Sequence, residues 1–314
     1  MANLGYIQIT RACNQDCRFC SNPDTGQTIS LSQAKKYISI YANKAYIGVL
    51  FTGGEPTLHS ELCNMISYAN KKGIESRIIT NGQRTSDIDY FRSLVDCGLK
   101  YIMVSIHSND PKMQGQLSGN DESLANIKMT LKNAKTLGIT VNVITVINKY
   151  NSDHLSKIVE WLVKDYPFIR HFVWNNLDPL NNRVLDNTDT IPRLNDFELE
   201  LHRGMSFLSE RSLTFRVERV PLCYMTGFEQ YSTETRKMIK DEERSIYFLD
   251  EKGYVGQKGN RGFLGYVKTG CCRVCALNDI CSGLYAGGKG FFLDELYPVF
   301  VSKSKIIREV SNGE

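Results

Sequence analysis

Short apolar runs alternate with amphipathic helical stretches over the first 176 residues. Six runs rich in Ile and Val, bounded by Gly, Asn or Ser, predict buried parallel strands at 6–10, 47–52, 76–80, 101–106, 141–147 and 170–174. Three of the intervening helices are predicted to end at a glycine that directly precedes a strand, namely Gly73, Gly98 and Gly138. This order predicts right-handed crossovers, a parallel sheet, and chemistry at the carboxyl ends of the strands.

The pattern changes beyond the sixth strand. A polar, turn-rich connection at 175–192 is followed by a predicted helix at 196–210 and a predicted strand at 213–219. A β-hairpin is then predicted at 244–255, with its turn at 250–253, and five of the ten cysteines follow Val220. We therefore predict two domains, an α/β domain over 1–215 and a small cysteine-rich α+β extension over 216–314, with the boundary near 212–219.

Composition narrows the functional classes. The chain has 314 residues, 42% of them apolar and only 8 prolines, which excludes a disordered or collagen-like protein. The net charge of +4, from 38 basic and 34 acidic residues, does not indicate nucleic-acid binding. The sequence shows neither a secretory signal nor a transmembrane stretch, so a cytoplasmic location is expected. Ten cysteines in a reducing compartment are expected to be metal ligands or catalytic thiols.

Three cysteines lie directly after the first predicted strand. Cys13, Cys17 and Cys20 have the spacing CX3CX2C. Three thiolates on one loop can hold three irons of a cubane cluster and leave the fourth iron open to another ligand. A structural zinc site is the alternative, but zinc takes four ligands and no nearby Cys or His supplies the fourth.

The second predicted strand is followed by the turn Thr-Gly-Gly-Glu-Pro-Thr at 52–57. Gly53 and Gly54 allow a tight turn with accessible backbone groups, and Glu55 is held in place by the following proline. Such a turn can present a carboxylate and backbone polar groups to an ammonium group. On its own it also fits an ordinary connection between a strand and a helix.

Together the two motifs closely resemble the signature of the radical S-adenosylmethionine (SAM) superfamily over residues 5–176. The resemblance implies that the three cysteines ligate a 4Fe-4S cluster whose open iron binds the amino and carboxylate groups of SAM. It also implies SAM contacts from the residues that match the family pattern: Phe19, Gly53, Gly54, Glu55, Asn81, Ser105 and Asn142. Among these, Gly53, Gly54 and Glu55 would hold the methionyl ammonium, and the main chain at Phe19 would contact the adenine.

The same resemblance implies a fold and a reaction. The fold is a partial (β/α)6 TIM-like barrel. The reaction is reductive cleavage of SAM to a 5′-deoxyadenosyl radical, which abstracts hydrogen from an unactivated C–H bond of a substrate. An external reductant such as flavodoxin or ferredoxin is implied as a partner.

The second cysteine group is CX2CX5C, formed by Cys272, Cys275 and Cys281, with Cys223 far upstream. It resembles the SPASM and Twitch extensions of radical SAM enzymes, but Tyr285 stands where a further cysteine of the SPASM pattern would be. The resemblance therefore implies one auxiliary 4Fe-4S cluster, held by these four cysteines. A structural zinc site has the same ligand count.

Cys271 offers another alternative, because it can replace Cys223 as the fourth ligand. Cys223 would then be a candidate hydrogen donor to a substrate radical, which would favour epimerisation. Cys63 and Cys97 are predicted to be isolated packing thiols. His107 lies near a strand end and is a candidate for contact with substrate or cofactor.

The substrate class is open. A peptide undergoing oxidation, cross-linking or epimerisation is favoured over a small metabolite or cofactor precursor. Asn175, Asn176 and Asp178 follow the sixth strand and are predicted to line the substrate side. A non-catalytic iron–sulfur or zinc sensor is the alternative of another class, but a sensor does not need the glycine-rich turn at 52–57.

Overall fold

The computed structural model describes residues 4–22, 24–180, 183–242, 244–249, 255–260 and 265–313. The chain forms two compact units, the first comprising 1–143 and 244–260 and the second 144–243 and 261–314. Strand β5 (Thr140–Ile147) begins in the first unit and ends in the second. The predicted boundary between two domains at 215/216 separates functions as well as compact parts of the chain. This boundary stays a prediction.

The first unit is built on a mainly parallel sheet. Apart from the start of β5, its strands are β1 (Leu4–Thr10), β2 (Gly48–Gly53), β3 (Glu75–Thr80), β4 (Tyr101–Ser105), β8 (Arg244–Leu249) and β9 (Val255–Asn260). β2 pairs in parallel with β1 and β3, and β3 pairs in parallel with β4. Because neighbouring parallel strands end at the same edge, the segments that follow β1 to β4 all start from that edge.

The helices of the first unit follow the strands in alternation. They are α1 (Leu31–Asn43), α2 (Leu62–Lys71), α3 (Ile88–Asp96), α4 (Pro111–Ser118) and α5 (Ser123–Thr136). The three predicted helix-ending glycines all have positive φ, between 71° and 104°. The three predicted helix ends are therefore confirmed. They could be predicted because glycine adopts a left-handed backbone without steric cost.

The β8–β9 hairpin extends the sheet of the first unit. β8 pairs in parallel with β1, and β9 runs antiparallel to β8. Tyr41 of α1 is fully buried, and its hydroxyl donates to the carbonyls of Tyr6 and Ser245 at 3.2 and 3.1 Å. The hairpin thus protects the outer edge of β1. Its predicted turn at 250–253 lies outside the described residues.

The second unit combines the end of β5 with β6 (His171–Asn176) and β7 (Thr214–Glu218), which pair in parallel with Phe172 opposite Phe215. Its helices are α6 (Leu155–Asp165), α7 (Arg183–Asp186), α8 (Leu194–Glu210), α9 (Thr233–Lys240) and α10 (Lys303–Asn312). The predicted helix at 196–210 and strand at 213–219 correspond to α8 and β7.

The predicted fold class is confirmed. Eight of the nine described strands are parallel and alternate with helices, as in a partial TIM-like barrel. In the first unit Ile7, Phe51, Ile78 and Val104, one from each of β1 to β4, are fully buried. Burial of each such side chain contributes about 1.5–3 kcal/mol, so the core holds the strand ends in a fixed register.

A helix that crosses a lipid bilayer needs about 20 predominantly apolar residues. The longest helix in the described ranges, α8, has 17 residues and contains several charged side chains. Within the part of the chain that the structure describes, no helix combines the length and apolarity needed to span a membrane.

Cys63 and Cys97 form a disulfide, which the sequence did not predict. Their Cα atoms lie 5.5 Å apart, and the bond joins α2 to the end of α3. The prediction of isolated packing thiols was wrong, because the distance between two helices set by separate strand–helix units is not visible in sequence spacing.

We expect this disulfide to stabilise the oxidised protein. It closes a loop with a sequence separation of 34, and the chain-entropy model gives a stabilisation of about 3–4 kcal/mol for a loop of that size. The free energies of unfolding of wild type and Cys63→Ala, measured in urea, should differ by this amount without reductant. With reductant the difference should be much smaller. An equal difference under both conditions would show that packing of the Cys63 side chain, and not the bond, carries the effect.

Candidate functional site

The first cysteine loop follows β1 and is held by backbone hydrogen bonds. Asp16 N–H donates to the carbonyl of Ser118 at 2.9 Å, and Arg18 N–H donates to that of Leu117 at 3.1 Å. Both acceptors belong to the last turn of α4. The loop is thereby fixed against a helix that is distant from it in sequence.

The three cysteines of this loop are half-buried thiols. Cys20 N–H donates to the carbonyl of Cys17 at 3.1 Å, which closes a tight turn between the last two cysteines. Phe19 between them is buried, and its ring packs edge-on against His107 with centroids 4.7 Å apart. The spacing CX3CX2C therefore places an anchored aromatic residue between two accessible thiols.

The glycine-rich turn at the end of β2 lies against the start of the cysteine loop. Gly54 N–H donates to the carbonyl of Thr10 at 2.7 Å, and Glu55 N–H donates to that of Ala12 at 2.8 Å. A Cβ on Gly53 would lie 2.0 Å from the Thr10 oxygen, and one on Gly54 would lie 2.3 Å from the Ala12 oxygen. The two motifs thus meet in space, and both positions exclude a side chain.

Glu55 is buried, and its carboxylate accepts four hydrogen bonds. Oε1 accepts from Thr57 N and Oγ1 at 3.1 and 2.7 Å and from Thr80 Oγ1 at 2.8 Å, and Oε2 accepts from Asn81 N at 2.7 Å. Burial raises the pKa of Glu55, and these hydrogen bonds oppose the increase. Each carboxylate oxygen offers about two lone pairs, and Oε2 accepts only the bond from Asn81, so Oε2 keeps one lone pair for a further donor. The predicted contact with an ammonium group stays a prediction.

Asn81 joins this network to the cysteine loop. Its Nδ2 donates to Asn14 Oδ1 at 2.8 Å and lies 3.9 Å from Cys13 Sγ. The structure therefore brings together the loop after β1, the turn after β2 and the first residue after β3. The hydrogen bonds that Thr57 and Thr80 donate to Glu55 were not predicted, because the sequence places both threonines beside matched residues without showing which group they contact.

The two remaining predicted SAM contacts lie further along the sheet. Ser105 is the last residue of β4, and Asn142 is the third residue of β5. Both are half-buried and alternate with fully buried neighbours, so each projects from the less buried face of its strand. Their predicted contacts with SAM stay predictions.

The donor set fits an iron–sulfur cluster. Three thiols on one loop provide soft ligands for three irons, and the loop adds no fourth Cys or His. Within the described ranges no three His, Cys, Asp or Glu side chains are arranged to hold a single metal ion. The roles of Cys13, Cys17 and Cys20 as ligands stay predictions.

His107 gives a pH-dependent prediction. Burial against Phe19 and its neighbours lowers the pKa of His107 from 6.5 to about 4, because the charged ring would lose its hydration. Between these values the unfolded chain binds a proton that the folded chain does not. The free energy of unfolding should therefore fall as pH decreases, by about 2 kcal/mol between pH 7 and pH 5.

Urea unfolding at the two pH values measures this effect, and His107→Gln is the matched variant. Between pH 7 and pH 5 the free energy of unfolding of the variant should fall by about 2 kcal/mol less than that of wild type. The same pH dependence in both proteins would mean that folding leaves the pKa of His107 unchanged.

Four cysteines of the second unit line one cavity: Cys223, Cys272, Cys275 and Cys281. Val299 N–H donates to Cys275 Sγ at 3.3 Å, and Gly283 N–H donates to Cys281 Sγ at 3.4 Å. Backbone donors of this kind stabilise metal-bound thiolates and tune the potential of iron–sulfur clusters.

Cys271 is oriented differently from these four. It is absent from the residues that line the cavity, and its Sγ donates to the carbonyl of Leu296 at 3.3 Å and lies 3.0 Å from Thr269 Oγ1.

Cys223, in contrast, lines the cavity and is buried. Burial raises the pKa of Cys223 to about 12, so without a nearby cation this group is a neutral thiol. The geometry groups Cys223, rather than Cys271, with the other three.

Tyr285 belongs to a polar network that the sequence did not reveal. Its hydroxyl donates to Asp178 Oδ2 at 2.8 Å, and the Arg219 guanidinium lies over its ring at 4.4 Å. Asp178 and Asn176 are buried, and Asn176 Nδ2 donates to the Arg219 carbonyl at 3.4 Å. The only sequence signal was the place of Tyr285 in the cysteine pattern. The predicted substrate-side role of Asn175, Asn176 and Asp178 stays a prediction.

Residues 7–162 match the model of the Radical SAM superfamily. Two curated relatives match about half of the chain. GTP 3′,8-cyclase of Aquifex aeolicus is 31% identical over 159 residues, which are 48% of this chain and 49% of that protein. Fe-coproporphyrin III synthase of Methanosarcina barkeri is 30% identical over 164 residues, 50% of this chain and 40% of that one. The chain therefore spans half or less of the length of these relatives.

Solved structures share the fold at low identity. Streptococcus suis SuiB bound to the precursor peptide SuiA has a TM-score of 0.66 and 15% identity, covering 96% of this chain and 75% of that one. Native anSMEcpe with bound AdoMet and Cp18Cys peptide also has a TM-score of 0.66 and 15% identity, covering 100% and 98%.

The family match covers the cysteine loop after β1, the glycine-rich turn after β2 and the network of Glu55. The superfamily implies a 4Fe-4S cluster and SAM as cofactors. Residues 7–162 are a radical SAM domain, and the chain belongs to the radical SAM superfamily of enzymes.

Proposed function

We propose that the chain reductively cleaves SAM to a 5′-deoxyadenosyl radical, which abstracts hydrogen from an unactivated C–H bond of a substrate. One observation carries this proposal: the turn after β2 is hydrogen-bonded directly to the residues that precede Cys13, through Gly54 to Thr10 and Glu55 to Ala12. A loop of three thiols is thereby placed beside a buried carboxylate. This pairing suits a cosubstrate that binds both iron and an anion.

The chain's residues have separate roles in this proposal. Cys13, Cys17 and Cys20 would hold a 4Fe-4S cluster, which when bound supplies the electron for SAM cleavage. Glu55 Oε2 would accept a hydrogen bond from the methionyl ammonium, while the other hydrogen bonds of the Glu55 carboxylate keep the turn rigid. Phe19 would fix the backbone that meets the adenine. Preorganisation of this kind orients the reacting groups before the bond is broken.

Reconstitution under anaerobic conditions tests the proposal. The reduced protein should bind SAM and release 5′-deoxyadenosine and methionine in equal amounts. Protein that holds iron but neither binds SAM nor forms 5′-deoxyadenosine would contradict the proposal and favour a sensor.

A second, auxiliary 4Fe-4S cluster is part of the proposal, with Cys223, Cys272, Cys275 and Cys281 as its ligands. The shared cavity and the backbone donors to two of the sulfurs support it. The oxidised form of such a cluster can take an electron from a substrate radical, which suits a net oxidation. A structural zinc ion with the same four ligands is distinguished by metal analysis.

Two single substitutions test the ligand set. Cys223→Ala should reduce the iron content from about eight to about four per chain, because the auxiliary cluster loses a buried ligand. Cys271→Ala is the matched control and should retain about eight. The opposite result would make Cys271 the ligand. Cys223→Ala protein that kept its iron and lost turnover would instead identify Cys223 as a hydrogen donor.

We propose a peptide as the substrate. The support is the similarity of fold to SuiB bound to a precursor peptide and to anSMEcpe with bound peptides. A small metabolite is the second candidate, because the relatives at about 30% identity are named for GTP and for Fe-coproporphyrin III. Flavodoxin or ferredoxin would supply electrons, in a cytoplasmic setting.

Co-expression with any short peptide that is found to be encoded beside the gene, followed by mass spectrometry, tests the substrate class. A peptide mass change that depends on the chain supports the proposal. Unchanged peptides together with SAM-dependent conversion of GTP would favour the metabolite.

A further inference from the structure

A buried amide of the first cysteine loop lies beside one of the three sulfurs. Gln15 is 9% exposed, and its Oε1 lies 3.8 Å from Cys17 Sγ. Its Nε2 donates to Ser123 Oγ at 3.0 Å. Ser123 is the first residue of α5 and is completely buried. The side chain of Gln15 therefore bridges a predicted cluster ligand and a hydroxyl group inside the first unit.

The other two sulfurs of the loop lie beside N–H donors. Asn22 N–H donates to Cys20 Sγ at 3.3 Å, and Asn81 Nδ2 lies 3.9 Å from Cys13 Sγ. The third sulfur instead faces the amide oxygen of Gln15, which can accept from the S–H group of a free thiol. A cysteine ligates iron as a thiolate, which has no proton to donate. The observed amide orientation therefore suits the thiol, whereas a cluster ligand needs the opposite one.

Rotation of the Gln15 amide by half a turn reverses its donor and acceptor ends. The oxygen and the nitrogen exchange places, so that an N–H group faces the sulfur of Cys17 and Oε1 faces Ser123. A hydroxyl group suits both orientations, because it can accept from Nε2 in the first and donate to Oε1 in the second. The hydrogen bond between Gln15 and Ser123 is therefore kept when the amide rotates.

Gln114 determines how the Ser123 hydroxyl can be used. Its Oε1 accepts from the backbone N–H groups of His107 and Ser108 at 2.9 and 3.0 Å, which fixes the orientation of this second amide. Its Nε2 donates to Ser123 Oγ at 3.1 Å. A hydroxyl group that already accepts one N–H can still direct its own O–H group to the oxygen of Gln15. The buried surroundings of Ser123 are thus compatible with the orientation that a thiolate requires.

We propose that Gln15 donates an amide N–H to the thiolate of Cys17 when the cluster is bound, and that Ser123 is the positioning residue for this amide. The inference rests on the proposed function, because it concerns the cluster that Cys13, Cys17 and Cys20 would hold. Hydrogen bonds to the sulfurs are among the factors that set the reduction potential of iron–sulfur clusters. A donor stabilises the more negative, reduced form more strongly, so this bond should raise the potential.

The reduction potential of the reconstituted cluster tests the proposal. Gln15→Met removes the amide at nearly unchanged side-chain length, and reduction should become about tenfold less favourable, a shift of about −59 mV for a one-electron couple. Ser123→Ala should shift the potential in the same direction, because the Gln15 amide loses its positioning partner. Redox titration monitored by EPR measures the potential. It follows the signal that addition of SAM changes, so that a second cluster does not interfere.

Asn133→Leu is the matched control. Asn133 is a buried amide of the same helix as Ser123, and its Nδ2 donates to the carbonyls of Thr85 and Ser86 at 3.1 and 2.9 Å. The control thus removes buried amide hydrogen bonds whose acceptors are backbone carbonyls rather than a sulfur. Its free energy of unfolding should fall, and its cluster potential should match that of wild type.

An unchanged potential in Gln15→Met, or an equal shift in Asn133→Leu, would overturn the role of Gln15. An unchanged potential in Ser123→Ala would overturn the positioning role of Ser123, and if Gln15→Met takes up less iron than wild type, Ser123→Ala carries the whole test. Iron and sulfide analysis separates the two levels of inference. Wild type that forms no 4Fe-4S cluster refutes the proposed function as well, whereas wild type with the cluster and variants with its potential refute this inference alone.

Discussion

Replacement of Cys13, Cys17 and Cys20 together by alanine should abolish formation of 5′-deoxyadenosine while leaving the second iron site intact. The expected loss is the whole catalytic acceleration, on the order of 10⁶-fold or more, because the variant lacks all three proposed ligands of the cluster that would deliver the electron to SAM. The three side chains are half-buried on an irregular loop, so their truncation removes no core packing. The backbone bonds from Asp16 and Arg18 to the end of α4 remain available to hold the loop.

The measurements are iron, sulfide and 5′-deoxyadenosine after anaerobic reconstitution. The triple variant should retain about four of about eight irons, and Cys271→Ala should match wild type in all three quantities. A triple variant without iron would show that the second cysteine group holds no cluster of its own. Undiminished 5′-deoxyadenosine would refute the assignment of the three cysteines.

Gly53→Ala should destabilise the fold and remove SAM binding at the same time. The added Cβ would lie 2.0 Å from the Thr10 carbonyl oxygen, and the residue has a φ of +143°, which L side chains rarely adopt. Backbone strain together with this clash should lower the free energy of unfolding by about 3 kcal/mol or more. Because the clash is with backbone, it can be relieved only by moving the turn away from the cysteine loop.

Gly73→Ala is the matched control. Gly73 also has a positive φ, +75°, but a Cβ there would have no neighbour within 4 Å. Gly73→Ala should lower the free energy of unfolding by about 1 kcal/mol, because alanine is strained in the left-handed backbone. SAM binding should be unchanged. Urea unfolding and SAM titration measure both effects. Equal destabilisation of the two variants would mean that the close approach of β2 to the cysteine loop is unimportant.

Glu55 shows how much of the candidate site is a structural unit. Its carboxylate joins the end of β2 to the end of β3 through Thr80 and Asn81, and Asn81 continues to Asn14 in the cysteine loop. The family motif accounts for Glu55, but the hydroxyls that share its carboxylate came only from the structure. A hydrogen-bond partner on another strand leaves no pattern in a single sequence.

Three other features were also beyond sequence reasoning. A hairpin was predicted at 244–255, but the pairing of β8 with β1 was not. The Cys63–Cys97 disulfide and the contact of Tyr285 with Asp178 likewise join residues that are far apart in the chain. Each depends on which elements become neighbours after folding.

The sequence by itself determined the alternating strands and helices, the glycine-terminated helices and the two cysteine groups, because these follow from local periodicity, backbone freedom and short spacings. Tertiary structure alone decided that the turn after β2 contacts the cysteine loop and that Cys223 shares a cavity with Cys272, Cys275 and Cys281. Local patterns record the conformation of a segment, whereas contacts between distant segments are set by strand register and core packing, which are properties of the whole fold.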